Sequence, residues 1–173
     1  MTGLMKMTKN EKREIISKYL DELFPNPKCE LIYHNDYELL IAIVLSAQTT
    51  DKRVNMVTPI LFSKYPTLEK LSEAPIDLLE EILKPIGSFR KKAVYVKDIA
   101  YNLTTKYQGV VPTDREKLEK LKGVGRKTIN VFLSEYYNYP AIAVDTHVER
   151  ISKRLRIASK KATVLEVEEK IQK

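Results

Sequence analysis

Apolar residues recur at helical spacing along the whole chain, and this pattern constrains the fold more than any other feature. One i, i+3, i+4 stripe ends just before two prolines and is formed by Ile15, Ile16, Tyr19, Leu20, Leu23 and Phe24. The run from Tyr37 to Ala47 is apolar on nearly all sides, which predicts a helix in the middle of its domain. No segment shows sustained strand-like alternation between hairpin turns. The sequence therefore predicts an all-α fold of roughly ten helices joined by short links.

Capping and stop signals predict where several helices begin and end. Asp51 is expected to cap a helix that runs to about Tyr65. Thr113 and Glu116 have the spacing of a capping box, which opens a helix that ends at Lys122. The other helices are expected at about 68–71, 76–83, 90–107, from near 125, at 146–155 and at 161–171.

The composition excludes several classes of protein. The chain has 173 residues, of which 43% are apolar, enough for one good-sized core or two small ones. The single cysteine, Cys29, rules out an internal disulfide scaffold and a cysteine-rich zinc module. The most apolar run, Leu39 to Leu45, is far shorter than the ~20 residues that cross a bilayer, and Met1 to Lys12 is polar rather than signal-like. We therefore expect a cytoplasmic protein with no metal site and no membrane partner.

The positive charge is concentrated in one quarter of the chain. The formal net charge is +7, but residues 84–127 hold twelve basic and four acidic side chains, a net charge of +8 that leaves −1 for the remainder. Such a cluster suits a polyanionic partner. The alternative is a set of ordinary solvated helix faces.

Two glycine turns lie in this basic segment, and each ends one helix and begins another. The more informative turn is Gly123-Val124-Gly125, which lies between Lys122 and the pair Arg126 and Lys127. Glycines free to adopt positive φ allow a tight turn whose backbone N–H groups point outward at the start of the next helix. These donors and charges suit a polyanion backbone whatever its base sequence. The alternative is a C-cap glycine followed by a close helix crossing.

Four motifs occur in order along the chain. They are LSAQTTD at 45–51, GVVPTD at 109–114, LKGVGRKT at 121–128 and IAVDTHV at 142–148. In this order and spacing they resemble the helix-hairpin-helix DNA glycosylases, most closely the endonuclease III family, and the resemblance extends from about residue 11 to residue 171. It implies a six-helix barrel domain at residues 28–140 that carries the hairpin. A second helical domain would consist of residues 1–27 and 141–173 and be incomplete at its C-terminus.

The resemblance also implies a chemistry, that of a bifunctional DNA N-glycosylase and AP lyase in base-excision repair. Lys127 corresponds to the family's catalytic lysine, whose amine attacks the sugar C1′ of a nucleotide flipped out of the duplex. Asp145 corresponds to the catalytic carboxylate, expected to stabilise positive charge on the sugar and to take the proton from the nucleophile. The resulting imine permits β-elimination, which cuts the strand 3′ to the site. A lysine here, rather than the serine or tyrosine of mismatch-specific relatives, favours oxidised pyrimidines such as thymine glycol.

The expected partner is double-stranded DNA with a damaged pyrimidine or an abasic site, which places the protein with the nucleoid. The residues expected to bind this DNA are Gln48, Lys122, Gly123, Val124, Gly125, Arg126, Thr146 and His147. Asp145 has a simpler alternative as the N-cap of the next helix, although Thr146 and Glu149 have capping-box spacing of their own. His147 is expected either to contact the DNA backbone or to pack near Asp145.

Two positions correspond to residues that fill the gap left by the flipped nucleotide. The first is Gln48, for which a buried or helix-terminal glutamine is the alternative. The second falls on Ser88, which is not a hydrophobic wedge, so that Phe89 is the other candidate.

The resemblance breaks down after the helix that ends at Ile171. Typical relatives continue there with four closely spaced cysteines that ligate a [4Fe–4S] cluster. This chain lacks those ligands, so we expect it to hold no cluster. We also expect exposed apolar faces on the helices at residues 11–24 and 145–171, and a marginally stable monomer prone to associate through them.

Two other functions compete with the enzyme. One is a non-catalytic or weakened helix-hairpin-helix module that binds DNA without cutting it. The other is a helical protein-interaction domain whose basic segment is ordinary surface.

Overall fold

The computed structural model describes residues 7–172, and this part of the chain is helical without any strand. The predicted all-α fold is confirmed. The ten helices of the described residues are α1 (Lys9–Leu23), α2 (Asp36–Ser46), α3 (Asp51–Lys64), α4 (Leu68–Glu73), α5 (Ile76–Leu83), α6 (Phe89–Lys106), α7 (Arg115–Glu119), α8 (Arg126–Tyr137), α9 (Thr146–Arg154) and α10 (Val164–Gln172).

The main core is built around α2. Its residues Leu39–Leu45 are all buried, as its all-round apolar sequence predicts. This helix packs against α3, α6 and α8, and α6 packs in turn against α4 and α5. The resulting cluster of buried side chains extends from Leu31 to Leu133.

A second, smaller cluster lies in the C-terminal part of the chain, where α9 and α10 pack together. Its buried members are Val144, Ala158, Ala162 and Val167. The division into a barrel domain at 28–140 and a second domain at 1–27 and 141–173 stays a prediction, and residues 1–6 and 173 lie outside the described residues.

Helix α1 presents large apolar side chains to solvent. Four of them, together with the C-cap residue that follows, are more than half exposed, namely Ile15, Tyr19, Leu20, Leu23 and Phe24. Ile151 on α9 is exposed to a similar degree. The expected apolar faces are therefore present, and association through them stays a prediction.

Two predicted caps are wrong by one residue. The cap of α3 is Thr50, whose hydroxyl accepts from the Arg53 N–H, and Asp51 is the first residue of the helix. The cap of α7 is Asp114, whose carboxylate accepts from the Lys117 N–H, in place of the Thr113 capping box. In both cases the cap is the last residue with extended backbone before the helix. Helix α7 also ends at Glu119, short of the predicted Lys122.

No helix within residues 7–172 is both long enough and apolar enough to cross a membrane.

Candidate active site and nucleic-acid interface

The turn between α7 and α8 is held tightly against α6. Gly123 has a φ of +80°, as predicted for a tight glycine turn. A Cβ on this glycine would lie 2.9 Å from Cε2 of Tyr95 and closer still to Cδ2. Leu121 and Val124 point into the main core. The turn therefore needs glycine at 123 for both its backbone conformation and its packing.

Gly125 does not use its freedom to adopt a positive φ, because its φ is −104° and its backbone is extended. It is the N-cap of α8, and having no side chain it leaves the first N–H groups of the helix uncapped. The first turn of α8 carries no acidic residue and includes Arg126 and Lys127. This combination of free donors, helix dipole and positive charge is suited to an anion such as a phosphate.

Lys122, which directly precedes Gly123, is anchored to α6. Its backbone N–H donates to Asp98 Oδ2 at 3.2 Å, and its Nζ lies 3.0 Å from Asp98 Oδ1. The side chain remains more than half exposed. Asp98 therefore orients the turn and offsets part of the positive charge of Lys122.

Arg126 is paired within the protein, although sequence reasoning placed it against DNA. Its guanidinium donates to both carboxylate oxygens of Glu168 on α10, at 2.9 Å from Nε and 2.8 Å from Nη2. These hydrogen bonds raise the pKa of Arg126 further. About half of the Arg126 side chain is still exposed.

The two candidate catalytic residues lie at two helix starts, Lys127 in the first turn of α8 and Asp145 at the N-cap of α9. Lys127 is exposed. Asp145 is half-buried, and hydrogen bonding from the backbone N–H of Val148 is the largest cause of the lowered pKa of its carboxyl group, with a further contribution from that of His147. The positive charge of Lys127 adds a smaller contribution in the same direction. The site thus pairs an amine with a carboxylate that is ionised at neutral pH.

Asp145 is also the N-cap of α9, so the capping box proposed for Thr146 and Glu149 does not form. Asp145 Oδ1 accepts from the N–H of His147 at 2.9 Å and from that of Val148 at 2.8 Å. Glu149 instead pairs with Lys153 one turn later. Because both capping bonds fall on Oδ1, Oδ2 remains for a second partner.

The side chains of Thr146 and His147 are exposed beside Asp145. His147 Nδ1 lies 3.1 Å from a guanidinium nitrogen of Arg150. Both residues therefore lie at the surface next to the candidate catalytic pair.

The candidate gap-filling residues occupy two adjacent turns. Gln48 and Ser88 are both exposed, and both have a φ of 56°, which is uncommon for residues other than glycine. The Gln48 carbonyl oxygen would lie 3.8 Å from a Cβ on Gly87, so the two turns lie against each other. Phe89 is the first residue of α6 and packs partly buried against the main core. Ser88 is thus the more accessible of the two alternatives at the second position.

The N-terminal half of α6 supports both glycine turns. Ser88 is the N-cap of this helix and lies beside the Gln48 turn, and Tyr95 packs against Gly123. Lys91 lies between them, with its Nζ 5.6 Å from the centre of the Tyr95 ring. Not every cation of the basic segment faces outward, since Lys92 is buried and Lys97 donates to the Ala74 carbonyl oxygen.

Comparison with known proteins decides the family. Residues 41–173 match the family model described as HhH-GPD superfamily base excision DNA repair protein. The chain belongs to this family. It is 48% identical over 149 residues to endonuclease III of Bacillus subtilis (strain 168), a match that covers 86% of this chain and 68% of that protein. It is 44% identical over 167 residues to endonuclease III of Haemophilus influenzae, covering 96% of this chain and 78% of that protein.

The fold agrees with the sequence match. A solved structure of a trapped endonuclease III–DNA covalent intermediate superimposes with a TM-score of 0.88 and 46% identity, over 95% of this chain and 78% of that chain. The predicted family, fold and enzyme class are confirmed by these matches. The protein is a DNA glycosylase of base-excision repair.

The residues present here do not fit an iron–sulfur cluster. A [4Fe–4S] cluster takes four thiolates, and the chain has the single Cys29, which is partly buried against the main core. Within residues 7–172 no group of three or more His, Cys, Asp and Glu side chains is placed to hold a metal ion.

Sequence reasoning missed three residues of this HhH-GPD site, Asp98, Asn130 and Glu168. Glu168 carried a signal, because it shares the helical stripe of Val164, Val167 and Ile171. A charged residue on an apolar stripe indicates a buried, paired group. Asp98 and Asn130 carried no comparable signal, because their partners, Lys122 for Asp98 and the Ile142 carbonyl oxygen for Asn130, are brought near only by the fold.

Proposed function

We propose that this protein is a bifunctional DNA N-glycosylase and AP lyase that removes oxidised pyrimidines from double-stranded DNA. The observation that carries the proposal is the proximity of Lys127 and Asp145 beside an uncapped helix N-terminus. The covalent protein–DNA intermediate formed by a relative of the same fold supports it.

The first step joins the protein to the sugar. The neutral Nζ of Lys127 attacks C1′, the bond between C1′ and the base breaks, and its electron pair leaves with the base, which takes up a proton. Asp145 accepts the proton of the attacking amine and stabilises positive charge on the sugar. The lowered pKa of Asp145 keeps it ionised for both roles.

The second step cuts the strand. Opening of the sugar ring gives an imine between Nζ and C1′, which acidifies the protons on C2′. Removal of one of them forms a C2′=C3′ double bond and expels the 3′ phosphate. Water then releases the sugar fragment and restores the Lys127 amine.

Binding is proposed to use both glycine turns. The α8 N-terminus, with Gly125 as its cap, would take a phosphate of the damaged strand. Gln48 and Ser88, on adjacent turns, would enter the space left by the flipped nucleotide. Such a substrate is found in the nucleoid of the cytoplasm.

Borohydride trapping tests this function, because it reduces the imine to a stable amine. We expect the wild-type protein to form a covalent adduct with duplex DNA that contains thymine glycol or an abasic site. The Lys127→Gln variant should form none at position 127. Lys106→Gln, which makes the same change at the far end of α6, is the matched control and should trap as wild type does. Salt-sensitive DNA binding without any adduct would contradict the proposal and favour a non-catalytic binding module.

A further inference from the structure

Glu168 is the buried half of an ion pair that joins α10 to the start of α8. Its side chain is only 4% exposed, and both of its oxygens accept hydrogen bonds from Arg126. A two-armed pair of this kind fixes the orientation of the guanidinium as well as its distance. The hydrogen bonds from Arg126 outweigh burial and lower the pKa of Glu168, so the carboxylate is charged at neutral pH.

This pair is the main polar connection between the two clusters of helices. Within residues 7–172, side-chain hydrogen bonds between the part before residue 141 and the part after it come from two donors only. They are Arg126, which binds Glu168, and the buried Asn130, which donates to the Ile142 carbonyl oxygen at 2.8 Å. Arg126 and Asn130 are four residues apart and share one face of α8. One face of α8 therefore holds the C-terminal helices in place.

Each end of the connection is linked to one of the two candidate reacting groups. Arg126 directly precedes Lys127 in the chain. Glu168 follows Val167, which packs in the second cluster with Val144, the residue before Asp145. A shift of α10 relative to α8 would therefore move Asp145 relative to Lys127. A misplacement of about 1 Å in a reacting group is enough to slow a reaction roughly a hundredfold.

We propose that Glu168 is a positioning residue, which clamps Arg126 and thereby sets the distance between Lys127 and Asp145. The inference rests on the glycosylase and lyase activity proposed above. Glu168 acts through Arg126 and contacts none of the reacting atoms.

The test measures base removal in a single turnover and DNA affinity separately. Glu168→Gln keeps the shape of the side chain and removes its charge. On duplex DNA with thymine glycol, at saturating protein, we expect the rate to fall roughly tenfold or more while the Kd stays within about twofold. Glu169→Gln makes the same charge change at the exposed neighbouring residue and should leave the rate unchanged.

An Asp145→Asn background distinguishes positioning from a general loss of structure. There, Glu168→Gln should change the rate by less than about twofold, because no carboxylate remains to be positioned. Arg126→Lys keeps the positive charge but cannot form the two-armed pair with Glu168. It should lower the rate of base removal to the same extent, and again have little effect in the Asp145→Asn background. This second variant keeps the test valid if Glu168→Gln fails to fold.

Three outcomes would overturn the inference or its basis. A wild-type rate in Glu168→Gln would overturn it, and so would equal losses in both backgrounds. A wild-type protein that removes no base would overturn the proposed function and this inference with it, so the two failures are distinguishable.

Discussion

Asp145 combines a structural and a chemical role in one carboxyl group. Its Oδ1 caps α9 through the N–H groups of His147 and Val148. The same hydrogen bonds lower the pKa of the carboxyl group, so that capping also keeps the candidate catalytic group ionised. Sequence reasoning treated the cap and the catalytic role as alternatives, whereas the geometry allows both, because Oδ1 serves the helix and Oδ2 remains for the substrate.

Two substitutions at Asp145 separate these roles. Asparagine caps helices about as well as aspartate, so Asp145→Asn should keep the free energy of unfolding within about 0.5 kcal/mol of wild type. It should nevertheless slow base removal about a hundredfold or more, because an amide accepts no proton. Asp145→Ala should lose the activity and, in addition, about 1 kcal/mol of stability. Urea unfolding and single-turnover base removal measure the two effects, and equal stability losses in both variants would refute the capping role.

At the scale of the element, α6 determines where the site can form. Tyr95 packs against Gly123 and Asp98 binds Lys122, so one face of this helix fixes the α7–α8 turn. Ser88, the N-cap of the same helix, lies beside the Gln48 turn. The same rigid helix therefore positions both turns that are candidates to bind DNA.

Replacing Gly123 by alanine tests this close contact. Gly109 has the same φ of +80° but no atom within 4 Å of a Cβ, so Gly109→Ala introduces backbone strain alone. We expect Gly109→Ala to lower the free energy of unfolding by about 1 kcal/mol. Gly123→Ala should cost about 1–3 kcal/mol more, because the added methyl group overlaps the Tyr95 ring. Urea unfolding of both variants gives the difference, and equal losses would show that the turn is not held against α6.

The helices themselves were largely predictable, and their exact starts were not. Periodicity gave the order and approximate extent of the helices because each one buries an apolar stripe. The starts of α3 and α7 were wrong by one residue because Thr50 and Asp51, like Thr113 and Asp114, are neighbouring residues that both cap well. The choice between them depends on the backbone path. The pairing of Arg126 with Glu168, 42 residues apart, depends on the packing of α10 and lies beyond any local pattern.

At the scale of the whole molecule, some basic side chains face solvent, whereas others are buried or paired within the protein. Lys92 is buried, Arg126 binds Glu168 and Lys122 shares its charge with Asp98. The net +8 of residues 84–127 therefore overstates the charge available to DNA. Lys91 is exposed, and it lies between the two glycine turns rather than at the far end of α6.

The salt dependence of DNA binding tests this distribution of charge. Each phosphate neutralised by a cation contributes about −0.9 to the slope of log K against log salt concentration. Lys91→Gln should weaken binding to any duplex and make the slope shallower by about 1, because it removes one phosphate contact between the turns. Lys106→Gln removes the same charge at the other end of the helix and should leave the slope unchanged, because a simple loss of net charge acts only weakly across more than a Debye length of about 10 Å. Titration by fluorescence anisotropy at several salt concentrations gives both slopes. Equal changes in the two variants would mean that DNA responds to the overall charge of the protein and not to a defined face between the two turns.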